Sequence, residues 1–163
     1  MESTWRQLIE SWRSQNLPIQ KACEEDDVRS FETRHRIALP PDIREYFLNV
    51  NGMTPHYPGD QDKEGFSFWT LERMRTLAED NEAEGRRYVR LAEEDSLFLF
   101  CDYMVWSWAY TVKILPGSGS AEGIYLVCCR NPVKIADSFS DFVRLYLEQS
   151  DQLYPPSAHE HIR

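Results

Sequence analysis

The chain has 163 residues, of which 42% are hydrophobic and 13% aromatic, so it can bury one substantial core but is too short for two ordinary domains. Its 18 basic and 27 acidic residues give a formal net charge of −9, so nucleic acid is not an expected partner, because an acidic surface repels a polyanion. No segment approaches the roughly 18 apolar residues of a membrane-spanning helix, so no membrane association is expected.

Apolar residues recur at helical spacing near the start of the chain and predict a first amphipathic helix. They are Trp5, Leu8, Ile9 and Trp12. Ser3 or Thr4 supplies the N-cap, and the helix ends before Leu17-Pro18, because a proline disfavours the helical conformation in the residue before it. The acidic run at 24–27 is either a solvated helix start or a partner-facing patch, and the favourable position of carboxylates at a helix N-terminus favours the first.

The segment LPPDIREYFLNVNG at residues 39–52 predicts a short helix with both of its end signals. Proline fits the first helical turn, and Asp42 suits the positive end of the helix dipole. The apolar stripe consists of Ile43, Tyr46, Phe47 and Val50. Asn51-Gly52 supplies residues that tolerate the left-handed conformation at a helix C-terminus. A helix this short must dock on a core.

Residues 53–65 are rich in proline, glycine and aspartate, a composition that predicts an exposed loop. Because loops often carry binding residues, Asp60 and Asp62 are candidate partner-binding residues. The aromatic stretch at 66–69 then predicts a short strand.

Thr70 is positioned to cap a further helix, whose apolar side would be Leu71, Met74 and Leu77 or Ala78. The charged stretch at 79–87 predicts the surface end of that helix and a loop. A β-like pattern resumes at 88–91.

Two apolar strands, at 97–100 and 105–115, predict the centre of a sheet. The second alternates, and one of its faces carries Trp106, Trp108, Tyr110, Val112 and Ile114. The other face is smaller and more polar, so we expect it to be thinly covered or solvent-facing. Asp102 and Tyr103 lie between the two strands and predict a structural turn or bulge, which we favour, or else a partner-binding site.

A Gly/Ser-rich stretch at 116–123 predicts a hairpin connection to an antiparallel strand at 124–130. Ser138 and Asp141 have the spacing of a capping box. They predict the start of a last, C-terminal helix. Together the elements predict an α+β domain over residues 1–150, with a mainly antiparallel twisted sheet packed by the N-terminal, Leu-Pro and C-terminal helices. Residues 151–163 predict a polar, flexible C-terminal tail.

No residue cluster has the spacing of a catalytic or metal site. His159 and His161 flank Glu160 but lack a third ligand on a rigid element, so no metal or cofactor is expected. No spacing fixes two carboxylates across a sugar cleft, as a glycoside hydrolase requires. The four cysteines show no Cys-x-x-Cys spacing, so we expect them to be reduced thiols. Reduced cysteines in turn predict a cytoplasmic location.

The string LPPDIREYFL followed by Asn-Gly resembles the signature of the SUKH superfamily, the Smi/Knr-like proteins. Later landmarks follow in the order of that family, at 68–72, at 98–103, in a Trp- and Tyr-rich strand, and at 135–142. The resemblance covers roughly residues 5–148. It implies a small α+β domain that serves mainly as an immunity protein, which binds and neutralises a toxin, and in some relatives acts in cell-wall regulation.

The function implied by this resemblance is non-catalytic, stoichiometric binding of a protein partner, a basic toxin domain. Complementary charge would speed such an association, although solubility alone also explains an acidic composition. Asp60, Asp62, Asp102 and Tyr103 are the candidate partner-binding residues. Two alternatives stay open: a regulatory or scaffold protein that binds an endogenous client, and a hydrolase.

Overall fold

The helices begin and end close to the signals in the sequence. In a computed structural model, which describes residues 3–85, 93–128 and 131–155, α1 spans Thr4–Ser14, α2 Glu25–His35, α3 Pro41–Asn49, α4 Leu77–Glu84 and α5 Phe139–Leu147. Short 3₁₀ helices lie at Glu94–Ser96 and Asp151–Leu153. The helices α1 and α2 have 11 residues each, and no helix in the described ranges could cross a bilayer.

The strands form one antiparallel sheet. They are β1 at Phe66–Phe68, β2 at Arg75–Thr76, β3 at Leu97–Tyr103, β4 at Trp108–Ile114, β5 at Ala121–Val127 and β6 at Val133–Ala136. Their order across the sheet is β1-β3-β4-β5-β6, and β2 pairs with β3 on the same side as β1. The predicted α+β class with an antiparallel sheet is confirmed.

One face of the sheet is covered by α1, α3 and α5, as their apolar stripes predict. The buried helical side chains include Trp5, Leu8, Trp12, Ile43, Tyr46, Phe47, Phe139, Phe142 and Val143. They share a core with Phe68, Phe98, Phe100 and Tyr110 of the sheet. The Phe100 and Phe142 rings meet edge to face with centroids 4.9 Å apart, a geometry that the aromatic quadrupole favours.

The opposite face of the sheet is covered more completely than the sequence predicts. Its buried apolar residues include Leu97, Leu99, Ala109 and Val127, which pack with Trp69 and with Leu77 of α4. Trp106 packs on this face too, so its predicted place beside Trp108 on the aromatic face is wrong. The reason is that β4 begins only at Trp108, and the turn before it breaks the two-residue alternation.

The Asn-Gly pair after α3 holds the chain against the sheet. Val50 is already extended, so α3 ends before the pair, and the left-handed residue is Gly52 with φ of 64°. Asn51 Oδ1 accepts a hydrogen bond from the Leu71 amide at 2.9 Å. A Cβ at Gly52 would lie 2.4 Å from the Trp69 carbonyl oxygen, so only glycine fits this close approach.

The helix predicted to start after Thr70 is wrong, because residues 70–74 form only a turn, in which the Thr70 carbonyl accepts from the Arg73 amide at 3.1 Å. The strand β2 follows, and α4 starts after Thr76. Thr76 and Glu79 form a complete capping box, in which each side chain accepts from the backbone amide of the other residue. Pairing of β2 with β3 keeps the chain extended until that point.

The N-terminus of α2 lies in the acidic run, and Ser138 caps α5 with one half of the predicted capping box. The acidic run before Val28 is a solvated helix start, in which Glu24 and Asp27 form a capping box. Ser138 Oγ accepts from the Asp141 amide at 3.1 Å. Leu153 is buried, so the chain packs on the domain at least to this position. The β-like pattern at 88–91 and the histidines at 159 and 161 lie outside the described residues.

Replacing Gly52 by alanine tests the close approach to Trp69. The matched control is Gly117→Ala, because Gly117 has φ of 74° but no atom within 4 Å of an added Cβ. We expect Gly117→Ala to lower the free energy of unfolding by about 1 kcal/mol, the usual penalty of the left-handed conformation. Gly52→Ala should lose at least about 2 kcal/mol more, through the clash with backbone. Urea unfolding measures both, and equal losses would contradict the packing argument.

Candidate protein-binding surface

The two loop aspartates predicted as contacts lie in different environments. Asp60 is half-buried, near the surface of the loop between α3 and β1. Asp62 is only 6% exposed, so its predicted position in an exposed loop is wrong. Its side chain points into the protein, where it ties the loop to the helices and to the start of β1.

Four hydrogen bonds of the Asp62 network hold the loop in place. Asp62 Oδ1 accepts from the backbone amides of Glu64 and Phe66, both at 2.9 Å. Asp62 Oδ2 accepts from the hydroxyl of Tyr146 on α5. That hydroxyl in turn accepts from Trp12 Nε1 on α1 at 3.1 Å. The network therefore joins α1, α5, the loop and β1 at one buried carboxylate.

Burial shifts the titration of this network. Loss of water raises the pKa of Asp62, although the hydrogen bonds from Tyr146 and from the backbone amides oppose the shift. Burial also raises the pKa of Tyr146, and the nearby Asp62 carboxylate adds to that shift. No cation lies within ion-pair distance of Asp62 in the described part of the chain, so hydrogen bonds alone stabilise its charge.

Asp102 holds the turn that follows β3. Its Oδ2 accepts from Trp69 Nε1 at 2.7 Å, and its Oδ1 accepts from the Trp106 amide at 3.2 Å. The Arg73 guanidinium lies 3.7 Å from Oδ2 and stacks 4.0 Å from the Trp69 ring centroid. Burial lowers the pKa of Arg73, and the charge of Asp102 opposes that shift. The turn favoured for Asp102 and Tyr103 from the sequence lies just after them, at residues 104–107, because both residues belong to β3.

The turn between β3 and β4 has an unusual backbone. Met104, Val105 and Trp106 have φ values of 46°, 52° and 66°, all in the left-handed region. That region is uncommon for residues other than glycine, and a β-branched valine there is a clear outlier. The Met104 amide donates to the Gly65 carbonyl at 2.9 Å, so the turn is braced by the start of β1. At its tip, Met104 is 52% and Val105 86% exposed.

Half-buried aromatic rings stand beside this tip. The rings of Tyr103 and Trp108 are stacked with centroids 4.3 Å apart, and Tyr154 meets both edge to face. We call the five residues Tyr103, Met104, Val105, Trp108 and Tyr154 the hairpin patch. Aromatic side chains and methionine are enriched at protein interfaces, so the composition of the patch is typical of a protein-binding surface.

The base of the hairpin patch is fixed by the last described residues. Trp108 Nε1 donates to the Tyr110 hydroxyl at 2.9 Å, and that hydroxyl donates to the Leu153 carbonyl at 2.6 Å. Leu153 is buried, and Tyr154 follows it directly. Residues from the predicted flexible tail are therefore part of this surface.

The structure brings two of the four predicted contact residues together. Phe66 joins them, because its amide donates to Asp62 and its ring lies 5.0 Å from the Tyr103 ring. Tyr103 belongs to the hairpin patch, and Asp62 lies beneath its edge. Asp102 supports the turn from the buried side, whereas Asp60 takes no part in these contacts.

His35 of α2 pairs with Glu79 of α4. His35 Nε2 lies 3.2 Å from both carboxylate oxygens of Glu79. The thiols of Cys23, Cys101 and Cys128 are free, as predicted. Burial and two nearby carboxylates raise the pKa of Cys23 to about 11, so this thiol is protonated and a poor nucleophile at neutral pH. Among the described residues no group of histidine, cysteine and acidic side chains is arranged to hold a metal ion.

Comparison with family models gives one finding. The model of the SMI1 / KNR4 family (SUKH-1) matches residues 22–145. The match runs from the segment before α2 into α5, and so includes Asp62, Asp102 and the turn between β3 and β4. A comparison with curated proteins gives no match.

Asp62→Asn tests the buried carboxylate through the pH dependence of stability. Because burial raises the folded-state pKa of Asp62, its contribution is complete below the unfolded pKa of about 4 and is lost as pH rises through the folded value. The free energy of unfolding of the wild type, relative to Asp62→Asn, should therefore be larger near pH 4 than near pH 7. Urea unfolding at both pH values measures this difference. A difference that is constant, or larger at neutral pH, contradicts the shift.

Val105→Asn tests the strain in the turn, because asparagine tolerates the left-handed conformation better than valine does. We expect the free energy of unfolding to rise by about 0.5–1 kcal/mol. The control is Val133→Asn, since Val133 is also exposed but lies in the extended strand β6, where valine is favoured. That control should be neutral or destabilising in thermal unfolding. Equal effects at the two positions would show that the turn carries no strain.

Proposed function

Because the chain belongs to the SMI1/KNR4 family (SUKH-1), we propose that it is an immunity protein that neutralises a toxin by direct, stoichiometric binding. Proteins of this family are generally non-catalytic, and the proposed activity needs no chemistry beyond a tight and specific interface. The hairpin patch is the proposed contact surface.

The observation that carries the choice of the hairpin patch as the contact surface is the conformation of Val105. An exposed valine in the left-handed region costs about 1–2 kcal/mol of folding free energy, and its exposed side chain makes no compensating burial. The neighbouring residues hold the turn in this form through Asp102 and Gly65. A strained turn that presents an apolar side chain to water is explained if that side chain is buried in a partner.

The charge of the chain supports a basic partner. A net charge of −9 attracts a cationic protein over the Debye length of about 8–10 Å, and raises its association rate at low salt. Half-buried aromatic residues such as Tyr103 and Trp108 then supply the anchors that slow dissociation. In this proposal Tyr103 is a direct contact, Asp60 contributes long-range charge, and Asp62 and Asp102 position the surface.

A growth-protection assay tests the proposal. If a neighbouring gene encodes a basic toxin domain, that domain is expressed in a sensitive bacterial host, with and without this protein. We expect wild-type protein to restore growth and to form a one-to-one complex in solution. Val105→Asp should weaken the complex at least about tenfold, because a charge would be buried at the centre of the interface.

The matched control is Val133→Asp, which places the same charge at an exposed valine on β6. It should protect as well as the wild type. Full protection by Val105→Asp would remove the hairpin patch from the interface but leave the immunity function standing. If the wild-type protein neither restores growth nor binds the toxin domain, the immunity function is rejected. The alternative of a regulator that binds an endogenous client is then favoured.

A further inference from the structure

A small pocket lies beside the hairpin patch, between the loop that ends at β1, the helix α5 and the 3₁₀ helix at Asp151–Leu153. Its volume is about 180 Å³. Three carboxylates line it, Asp62, Glu64 and Asp151, against one cation among the described lining residues, Lys63. Glu64 and Asp151 are exposed at its rim, and Asp62 lies at its floor.

The floor of the pocket is a carboxylate that lacks a counter-ion. Asp62 is 6% exposed, and no arginine, lysine or histidine among the described residues comes within ion-pair distance of it. The hydrogen bonds of Asp62 offset part of the cost of burying an ionised carboxylate, and a cation beside it would offset more. Its raised pKa has the same physical origin, because burial without a cation favours the neutral acid.

Part of the pocket wall is aromatic. Phe66, Tyr146 and Tyr154 line it, with the Phe66 ring at 80° to that of Tyr146 and at 63° to that of Tyr154. Phe66 and Tyr146 are buried and Tyr154 is half-buried, so the Tyr154 ring is the most accessible of the three. Aromatic faces attract cations through the ring quadrupole, so walls and floor favour the same kind of guest.

The size of the pocket limits that guest to one side chain. Sites for small-molecule ligands usually have volumes of about 300–1,000 Å³, well above this pocket. The space equals that of about six water molecules at their volume in the liquid, which is enough for one cationic side chain.

We propose that this pocket accepts one arginine side chain of the protein partner, with its guanidinium among the carboxylates of Asp62, Glu64 and Asp151 and its flat face on the Tyr154 ring. A guanidinium is planar, stacks on rings and forms paired hydrogen bonds to a carboxylate, whereas an ammonium is a compact and strongly hydrated charge. The inference rests on the proposed function for the class of partner, a basic protein. Tyr154 belongs both to the pocket and to the hairpin patch, so one partner can engage the two together.

A titration without any toxin tests the pocket. The probe is N-acetyl-L-arginine amide, and its neutral isostere is N-acetyl-L-citrulline amide, at constant ionic strength. The readout is the indole N–H resonance of Trp12 in ¹⁵N-labelled protein, because Trp12 Nε1 donates to the Tyr146 hydroxyl that bonds Asp62. The indoles of Trp5 and Trp69 serve as internal references, since neither lines the pocket.

We expect the arginine probe to shift the Trp12 resonance in a saturable way with a millimolar Kd, and citrulline to bind at least about tenfold more weakly. The double variant Glu64→Gln/Asp151→Asn should weaken the arginine probe about threefold or more. The double variant Glu45→Gln/Asp26→Asn, at exposed carboxylates outside the pocket, should leave its affinity unchanged.

Two results would overturn the proposal. The first is the absence of a saturable Trp12 shift up to about 50 mM arginine probe, well above the millimolar Kd expected. The second is equal binding of arginine and citrulline, or equal weakening by the two double variants. Because the titration contains no toxin, its failure would leave growth protection unaffected. Failure of the growth-protection assay would likewise not change the affinity of the pocket for the arginine probe.

Discussion

The buried carboxylate of Asp62 is the interaction on which the surface of this protein depends. The loop after α3 has no regular secondary structure, and a side chain in its middle satisfies two backbone amides of the loop and the start of β1. Through Tyr146 the same carboxylate reaches α5 and α1. Burying such a group is tolerable only when its hydrogen bonds are complete, so the loop, the helices and β1 must assemble in one arrangement. The turn between β3 and β4 then rests on that arrangement through Gly65.

Much of the fold follows from local signals in the sequence. The helices α1, α3 and α5 carry apolar stripes between recognisable ends, and such signals act within a few residues of each other. The errors arise where long-range pairing decides. Thr70 and Thr76 are both acceptable caps, and only the pairing of β2 with β3 selects Thr76. Trp106 fits the alternation of a strand, but the turn before β4 sends it to the other face of the sheet.

The candidate site is predictable in part. Asp62, Asp102 and Tyr103 stand out as acidic or aromatic residues next to apolar strands, and all three contribute to the surface or hold it. Their exposure does not follow from the sequence, because burial of an aspartate depends on donors far away in the chain, such as Tyr146. The role of Val105 in a turn could not be predicted from the sequence, for a different reason. Its segment contains no glycine, asparagine or proline, the residues that mark a tight turn, so it reads as a continuous strand.

The bracing of the turn separates two tasks that many binding loops combine. The backbone of the turn is set by residues beneath it, namely Asp102 and Gly65, whereas Met104 and Val105 only project from it. Substitution at the two projecting positions therefore changes the surface that a partner meets without removing any hydrogen bond that shapes the turn. A fold built in this way can diversify its specificity by single changes at the tip. Each new variant inherits a surface whose shape is already fixed before any partner arrives.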